Sequence, residues 1–364
     1  KGQATMATRT IGVNDARAVK LWSARMDVEA LKETVAYEYM GEGKGSLCQI
    51  MTETQKGAGD RIRWGIRMLA TGEGTTGNAT QEGNEEGLTR YYDELLINEI
   101  GHAHRVRNEG TIDRQRVPYD MREESYDSLK DWFADRIDTW FFNQLAGNTA
   151  EARAKYLGFN AAIPPSATRV FRGGAVANDQ SMNSSTHEFK LSLIDKAVNR
   201  AKTTGPMLRP IKGLGKDIDY VCFIHPDQTL SMRADTATAG NWFDLQGKRL
   251  QGGEKDNNGL YTGMLGVYNR TLIVENTRVP KGVHGANGAP VDNARGAIFC
   301  GAQAAGVAFG KKGGKNKFNW VEELFDYDRE LGVRSNTIAG LKKTVYNSVD
   351  YGTIVLGSYA APAA

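Results

Sequence analysis

From Arg61 to Met68 the residues alternate strictly. Ile62, Trp64, Ile66 and Met68 point one way, and Arg61, Arg63, Gly65 and Arg67 point the other. A period of two predicts a half-buried strand. A second strand is predicted from about Arg90 to Ile100, carrying Tyr91, Tyr92, Leu95, Leu96, Ile97 and Ile100. Between them Thr71–Gly87 is far longer than an ordinary hairpin turn. It is also acidic, with Glu73, Glu82, Glu85 and Glu86 and no basic residue. The unit reads as a long two-stranded arm with an acidic tip. An isolated two-stranded ribbon is marginally stable in water. Its apolar face therefore needs a second surface. The chain's own core is the commoner provider, and a neighbouring copy is the other.

The period changes to three and four residues in the next segment. Asp120, after Pro118 and three residues before Glu123, has the spacing of a capping box. Tyr126, Leu129, Trp132, Phe133, Ile137, Trp140, Phe141 and Leu145 then form one broad stripe. Asp127, Asp131, Asp135 and Asp138 are assigned to the opposite face, and Gly147 to the C′ stop. About 26 residues at 1.5 Å each predict a rod of roughly 39 Å, a structural spine.

A second capping box, Ser185 with Glu188, predicts a helix through Leu191, Ile194, Val198 and Ala201 that ends at Gly205 and Pro206. Tyr220–Ile224 reads as a buried strand halted by His225 and Pro226. Leu265–Val274 reads as a hairpin turning at Asn269 and Arg270. Ala297–Cys300 opens a strand that runs into the small residues of 301–310. Phe318–Tyr327, Gly332–Leu341 and Tyr351–Tyr359 read as closing strands. Strands and helices interleave without a βαβ rhythm, which predicts an α+β fold.

At 364 residues the chain has room for two or three domains. Its 42 glycines against 9 prolines fit a β-rich protein with long excursions. The net charge of +3 is too small to mark a protein built to grip nucleic acid. Charge is local instead: Lys1, Arg9, Arg17, Lys20 and Arg25 stand against Asp15 alone in the first 25 residues, a net +4. That segment reads as a free or partner-docked arm. Lys1 is not an initiator methionine whereas Met6 resembles one, so a tag remnant and a processed terminus are both open. Three scattered cysteines predict no disulfide framework and fit a reducing compartment. No apolar run long enough for a membrane span and no secretory h-region is expected.

The chain carries no G-x-S-x-G, H-E-x-x-H or C-x-x-C motif. The glycine- and lysine-rich stretch 310–317 resembles a phosphate loop but lacks its spacing and reads as a solvated basic loop. Asp256–Gly259 matches part of a calcium loop without the closing Glu. His102 and His104 share one side of a strand, yet no third metal ligand is evident. Glu322, Glu323, Asp326 and Asp328 are assigned to solvated or cross-subunit charge. Trp132, Phe133, Trp140 and Phe141 have the spacing of helix core. No catalytic residue, cofactor or metal site is expected, which is weak evidence against an enzyme.

A family resemblance rests on several collinear segments. They are 83–86 (GNEE), 115–118 (QRVP), 140–147 (WFFNQLAG), 224–227 (IHPD), 301–305 (GAQAA), 320–327 (WVEELFDY) and 350–356 (DYGTIVL). In this order, across about residues 20–360, the chain resembles the major capsid proteins of podophages of the N-four-like type. The resemblance is poorest at residues 1–5, 248–260 and 280–293. It implies the Hong Kong 97 type fold: an N-terminal arm (1–55), an extended β-hairpin loop (56–117), a peripheral domain with a spine helix (118–184), an axial domain (185–334) and C-terminal strands returning to the peripheral domain (335–364). The implied function is self-assembly as pentamers and hexamers into an icosahedral shell around double-stranded DNA. The location is the virion, with assembly in the host cytoplasm.

On that reading Arg61, Ile62, Arg63, Trp64, Ile66, Met68, Glu73, Glu82, Glu85 and Glu86 contact a neighbouring subunit. The basic partners of the tip would be Arg9, Arg17, Lys20 and Arg25, or Lys311, Lys312, Lys315 and Lys317. Leu129, Trp132, Phe133, Ile137, Trp140 and Phe141 would fill the core beneath the spine helix. Implied partners are further copies of the chain, a portal at one vertex, packaged DNA held without base readout, and a scaffold or decoration protein; no membrane is implied. An encapsulin-like shell around protein cargo shares the fold, and a monomeric hydrolase with a long lid is the rival from another class.

Overall fold

The computed structural model describes residues 25–26, 29–30, 34–51, 60–67, 70, 72–107, 121–183, 185–214, 218–235, 265–310, 317–327 and 329–361. A one-turn helix α1 (Val35–Glu38) leads into β1 (Met40–Gly41) and β2 (Cys48–Met51). β3 (Arg61–Arg67) and β4 (Arg90–Leu96) form the ribbon, and one residue later β5 (Asn98–Arg107) begins. The long helix α2 (Met121–Ala146) follows, then β6 (Val170–Arg172), α3 (Leu191–Thr203), β7 (Tyr220–Ile224) and α4 (Pro226–Ala234). β8 (Val267–Tyr268) and β9 (Thr271–Glu275) make the expected hairpin, with Asn269 and Arg270 both at positive φ. Next come β10 (Lys281–Val283), β11 (Pro290–Cys300), β12 (Ala305–Phe309), β13 (Phe318–Phe325) and β14 (Glu330–Lys343). A short hairpin of β15 (Val345–Tyr346) and β16 (Val349–Asp350) precedes β17 (Thr353–Tyr359).

Two mixed sheets result. In the first the order is β1-β2-β12-β14-β13, with β5 laid antiparallel on β14 from Asn98↔Ala339 to Arg107↔Glu330. In the second the order is β6-β17-β11-β7-β9-β8, with β10 on β11. β13 and the start of β14, assigned to the axial domain, lie in the sheet beneath α2. β17, expected to return there, is an inner strand of the second sheet between β6 and β11. Six of the seven β17 residues are buried, so both of its faces are covered. An apolar run of that kind carries no address for one sheet over another.

α2 spans the 26 residues expected of it. Leu129, Phe133, Ile137, Trp140 and Phe141 are all 2% exposed or less. Trp132 is half-buried, stacked on His102 at 4.7 Å. Gly147 ends the helix at φ +67, where a Cβ would also meet the Ile163 carbonyl oxygen. Asp120, the expected cap, lies outside the described residues. One residue of the supposed polar face is misassigned. Asp138 is buried and accepts hydrogen bonds from the Val35 and Ala36 backbone N–H groups at 3.1 and 3.0 Å. It caps α1, whose first N–H groups have no intrahelical partner. Burial holds its pKa above the usual carboxylate value despite those bonds.

α3 opens at Leu191 rather than at the Ser185 box. His187 lies against Gly173, and Glu188 bridges to Tyr359, which draws this stretch onto the second sheet. Glu322, expected to be solvated or to face another subunit, is 2% exposed; Arg122 bonds both of its oxygens and Trp320 Nε1 donates to it at 2.7 Å. The acid thereby joins α2 to β13. A second buried pair, Lys343 and Asp350 at 2.9 Å, is 0% and 2% exposed. Cys48, Cys222 and Cys300 are free and buried, and burial pushes the first two thiols up to about 12.

His225 and Pro226 do more than stop a strand, for they start α4. The Asp227 N–H donates to His225 Nδ1 at 3.2 Å, and the His225 N–H donates to Gln228 Oε1 at 3.0 Å. Burial first, then Arg295, holds the His225 pKa below its ordinary value. A protonated ring cannot accept the capping bond, and the unfolded chain takes up the proton more readily. This contribution is therefore full above the unfolded pKa of about 6.5 and is lost as pH falls through it toward the folded value. His225→Asn keeps a capping acceptor. It should flatten the fall of Tm as pH drops below about 6.5; an unchanged slope would assign that fall to other groups.

Candidate assembly interface

The ribbon pairs from Arg61↔Leu96 to Arg67↔Arg90. Directly paired residues share a face, so Ile62, Trp64, Ile66, Tyr91, Asp93 and Leu95 form the inner one. The outer face carries Arg61, Arg63, Arg67, Arg90, Tyr92 and Glu94. Glu94 lies 3.2 and 3.3 Å from Arg61 and Arg63. Those two arginines, expected to contact a neighbour, are thus paired within their own chain, on a solvated face where such pairs contribute little.

The inner face divides at mid-length. Ile62 is 4% exposed and clusters with Leu95, Ile97 and Ala308, against which Met51, Trp64 and Ile338 pack. The Trp64 ring lies over Gly306. Ile62 and Trp64, expected on a neighbouring subunit, therefore rest on their own first sheet, because β12 and β14 offer an apolar surface there. Beyond Ile66, residues 72–87 are exposed throughout except at Thr75. Glu73, Glu82, Glu85 and Glu86 are exposed. Nothing lies within 4 Å of the Cβ positions of Gly74, Gly77, Gly83 or Gly87. Glu86 accepts the Gly72 N–H at 2.7 Å and Glu85 the Gly83 N–H at 2.8 Å, so the tip is ordered by its own carboxylates. Leu88 and Tyr92 are 62% and 60% exposed.

Polar groups that the strand pattern leaves anonymous hold the root. Asp93 interrupts the apolar inner face. It pairs with Lys342 Nζ and accepts the Val345 N–H at 3.1 Å. Asn160 acts as one residue of an extra strand: its Oδ1 accepts the Leu96 N–H at 2.9 Å and its Nδ2 donates to the Leu96 carbonyl at 3.0 Å. The Asn160 carbonyl in turn accepts from Gln144 Nε2 of α2 at 2.7 Å. Gly340 is required where the Leu96 carbonyl crosses β14, since a Cβ there would sit 2.2 Å from that oxygen. Asn160→Ala would strand both Leu96 groups in a buried site, at about 2–3 kcal/mol. The check is the denaturation midpoint together with exchange of the Leu96 amide. An amide still protected to the wild-type degree would mean that Asn160 does not hold the root.

Around the Arg67–Arg90 end of the ribbon, lined from both of its faces and from the body, lies a cleft of about 720 Å³. Lys44, Arg67, Arg90 and Arg209 line it with Trp64, Ile66, Met51, Tyr346 and Tyr351, and no acid is among its described lining residues. Sequence reasoning missed it because its cations come from four separate segments. Of the basic residues expected to meet the tip, Arg25 pairs with Glu29 at 2.9 Å over the Tyr126 ring, and Lys317 lies over the Phe309 ring. Arg9, Arg17, Lys20, Lys311, Lys312 and Lys315 lie outside the described residues, as does Met68. His102 and His104 serve packing, on Trp132 and beside Ser128 respectively. Among the described residues no group of three or more His, Cys, Asp or Glu could hold a metal.

A family model described as phage capsid protein matches residues 10–362. The major capsid protein of Pseudomonas phage KPP25 is 29% identical over 371 residues, covering 92% of this chain and 93% of that one. The capsid of Ralstonia phage GP4 matches 98% of this chain and 100% of its own with a TM-score of 0.75 and 29% identity. The cyanophage Pam1 capsid shares the fold at a TM-score of 0.70 and 19% identity, over 100% and 99% of the two chains.

Proposed function

The chain belongs to the phage capsid protein family, and from that premise we propose how it works as a major capsid protein. Identical copies assemble as pentamers and hexamers into the icosahedral head shell that encloses the double-stranded DNA of a tailed phage. The observation that carries this reading is the split ribbon: a root fixed on its own sheet and an exposed acidic tip, residues 72–87, with no core cluster beneath it among the described residues.

A thin, ordered projection of this kind gains by lying across an identical neighbour. Burying side chains such as Leu88 and Tyr92 there contributes about 1.5–3 kcal/mol each at most. The acids set register and partner choice more than strength. Each contact is weak, and repetition around a closed shell makes the whole stable. A net charge of +3 suits loose contact with packaged DNA. A portal at one vertex, a scaffold and a decoration protein are further partners consistent with this role, and assembly would precede release from the host cytoplasm.

Electron microscopy of the purified protein, with a nucleic-acid assay on the same particles, tests the reading. Closed shells of uniform diameter that retain DNA are expected in infected cells. A stable 40 kDa species that never assembles would overturn the shell role. Shells filled with protein cargo and free of nucleic acid would move the chain to the encapsulin-like alternative.

A further inference from the structure

We propose that the cationic cleft around the Arg67–Arg90 end of the ribbon is the receptor for the acidic tip of a neighbouring copy. The inference rests on the shell reading above and names the surface on which the tip lands.

Arg67 and Arg90 are directly opposite across the ribbon, an arrangement that is destabilising for like charges. Among the described residues neither has a carboxylate within ion-pair distance, and neither do Lys44 and Arg209, which line the same cleft. Four residues from Arg67, Arg63 is paired with Glu94. Among the described residues, four cations thus line one cleft without an ion-pair partner. Trp64, Ile66 and Met51 supply an apolar floor, which lowers the local dielectric and strengthens any ion pair formed there.

The tip has the complementary chemistry. Its four glutamates are exposed, and its glycines leave it thin enough to enter a cleft. It does not fill the cleft of its own chain, since no residue of 72–89 lines that space. Charge also argues against the N-terminal segment as the occupant: the first 25 residues are net +4 and would be repelled.

The test is a cysteine pair, Glu85→Cys with Arg90→Cys, placed in the full chain and oxidised during assembly. The three native cysteines are buried, so they do not confuse the result. A ladder of covalent oligomers is expected. An intramolecular disulfide, or normal shells with no disulfide, would overturn the inference while leaving the shell reading intact. If the wild-type chain forms no shells at all, the shell reading fails and the docking fails with it. As a second arm, Arg67→Glu with Arg90→Glu should cut shell yield at least about tenfold. Adding Glu82→Lys and Glu85→Lys should restore it. Wild-type yield with loss of retained DNA alone would assign the cleft to phosphate and overturn the inference.

Discussion

Subunits lacking residues 71–87 are expected to fold as well as the full chain and to stop assembling. The deletion leaves residues 68–70, 88 and 89 as the connection, five in all, within the usual hairpin range. Everything that fixes the root stays: Ile62 and Leu95 in their cluster, Asp93 on Lys342, and Asn160 on Leu96. The removed segment touches little of its own chain, so the change in stability should be within about 0.5 kcal/mol. Assembly is different, because the same contact is lost by every subunit at once. Each 1.4 kcal/mol removed from a contact weakens it about tenfold. Sedimentation and thermal melting on the same sample separate the two effects. Closed shells of normal size would defeat the docking idea, and a large drop in Tm would show that the tip supports its own fold.

Asp350→Ala is the second large effect, and it acts on the subunit itself. Lys343 and Asp350 are almost wholly buried at 2.9 Å; Lys343 Nζ also donates to the Ile163 carbonyl at 2.8 Å, and Asp350 accepts the Ser166 N–H at 3.0 Å. Burial already holds the Lys343 pKa below its ordinary value. Removing the carboxylate leaves an uncompensated buried ammonium, for which about 3–5 kcal/mol of destabilisation is expected. Lys343→Met with Asp350→Leu removes both charges and should recover much of that loss. The measurement is the denaturant midpoint at unchanged m value. A cost below about 1 kcal/mol for Asp350→Ala would mean that water reaches the pair.

The ribbon and α2 were legible in the sequence because each writes its period over a long stretch. Ile62, Trp64 and Ile66 alternate, and the aromatic stripe from Tyr126 to Leu145 repeats every three or four residues. Elsewhere the signal was weak or local. β12 (Ala305–Phe309) is buried throughout, yet its small residues show no period. α4 was hidden by Pro226, which ends one element and begins the next. Asp138 stands at helical spacing with three solvated acids, and only the position of α1 makes it a cap. Asp93 offered a signal, as a lone acid on the apolar side of a strand, but its partner is about 250 positions away in sequence. The cleft had none, since Lys44, Arg67, Arg90 and Arg209 meet only once the sheets are built.

A single residue, Ile97, separates the end of β4 from the start of β5. The projecting ribbon and the strand paired to β14 are therefore almost one continuous length of backbone. A pull on the tip, as from pressure inside a filled head, travels along that backbone into the ten registered pairs from Asn98↔Ala339 to Arg107↔Glu330. Those pairs are loaded in shear, where neighbouring hydrogen bonds share the force at once instead of parting one after another. The tether by which one subunit would hold the next is thus anchored in the direction in which a β-ladder resists best.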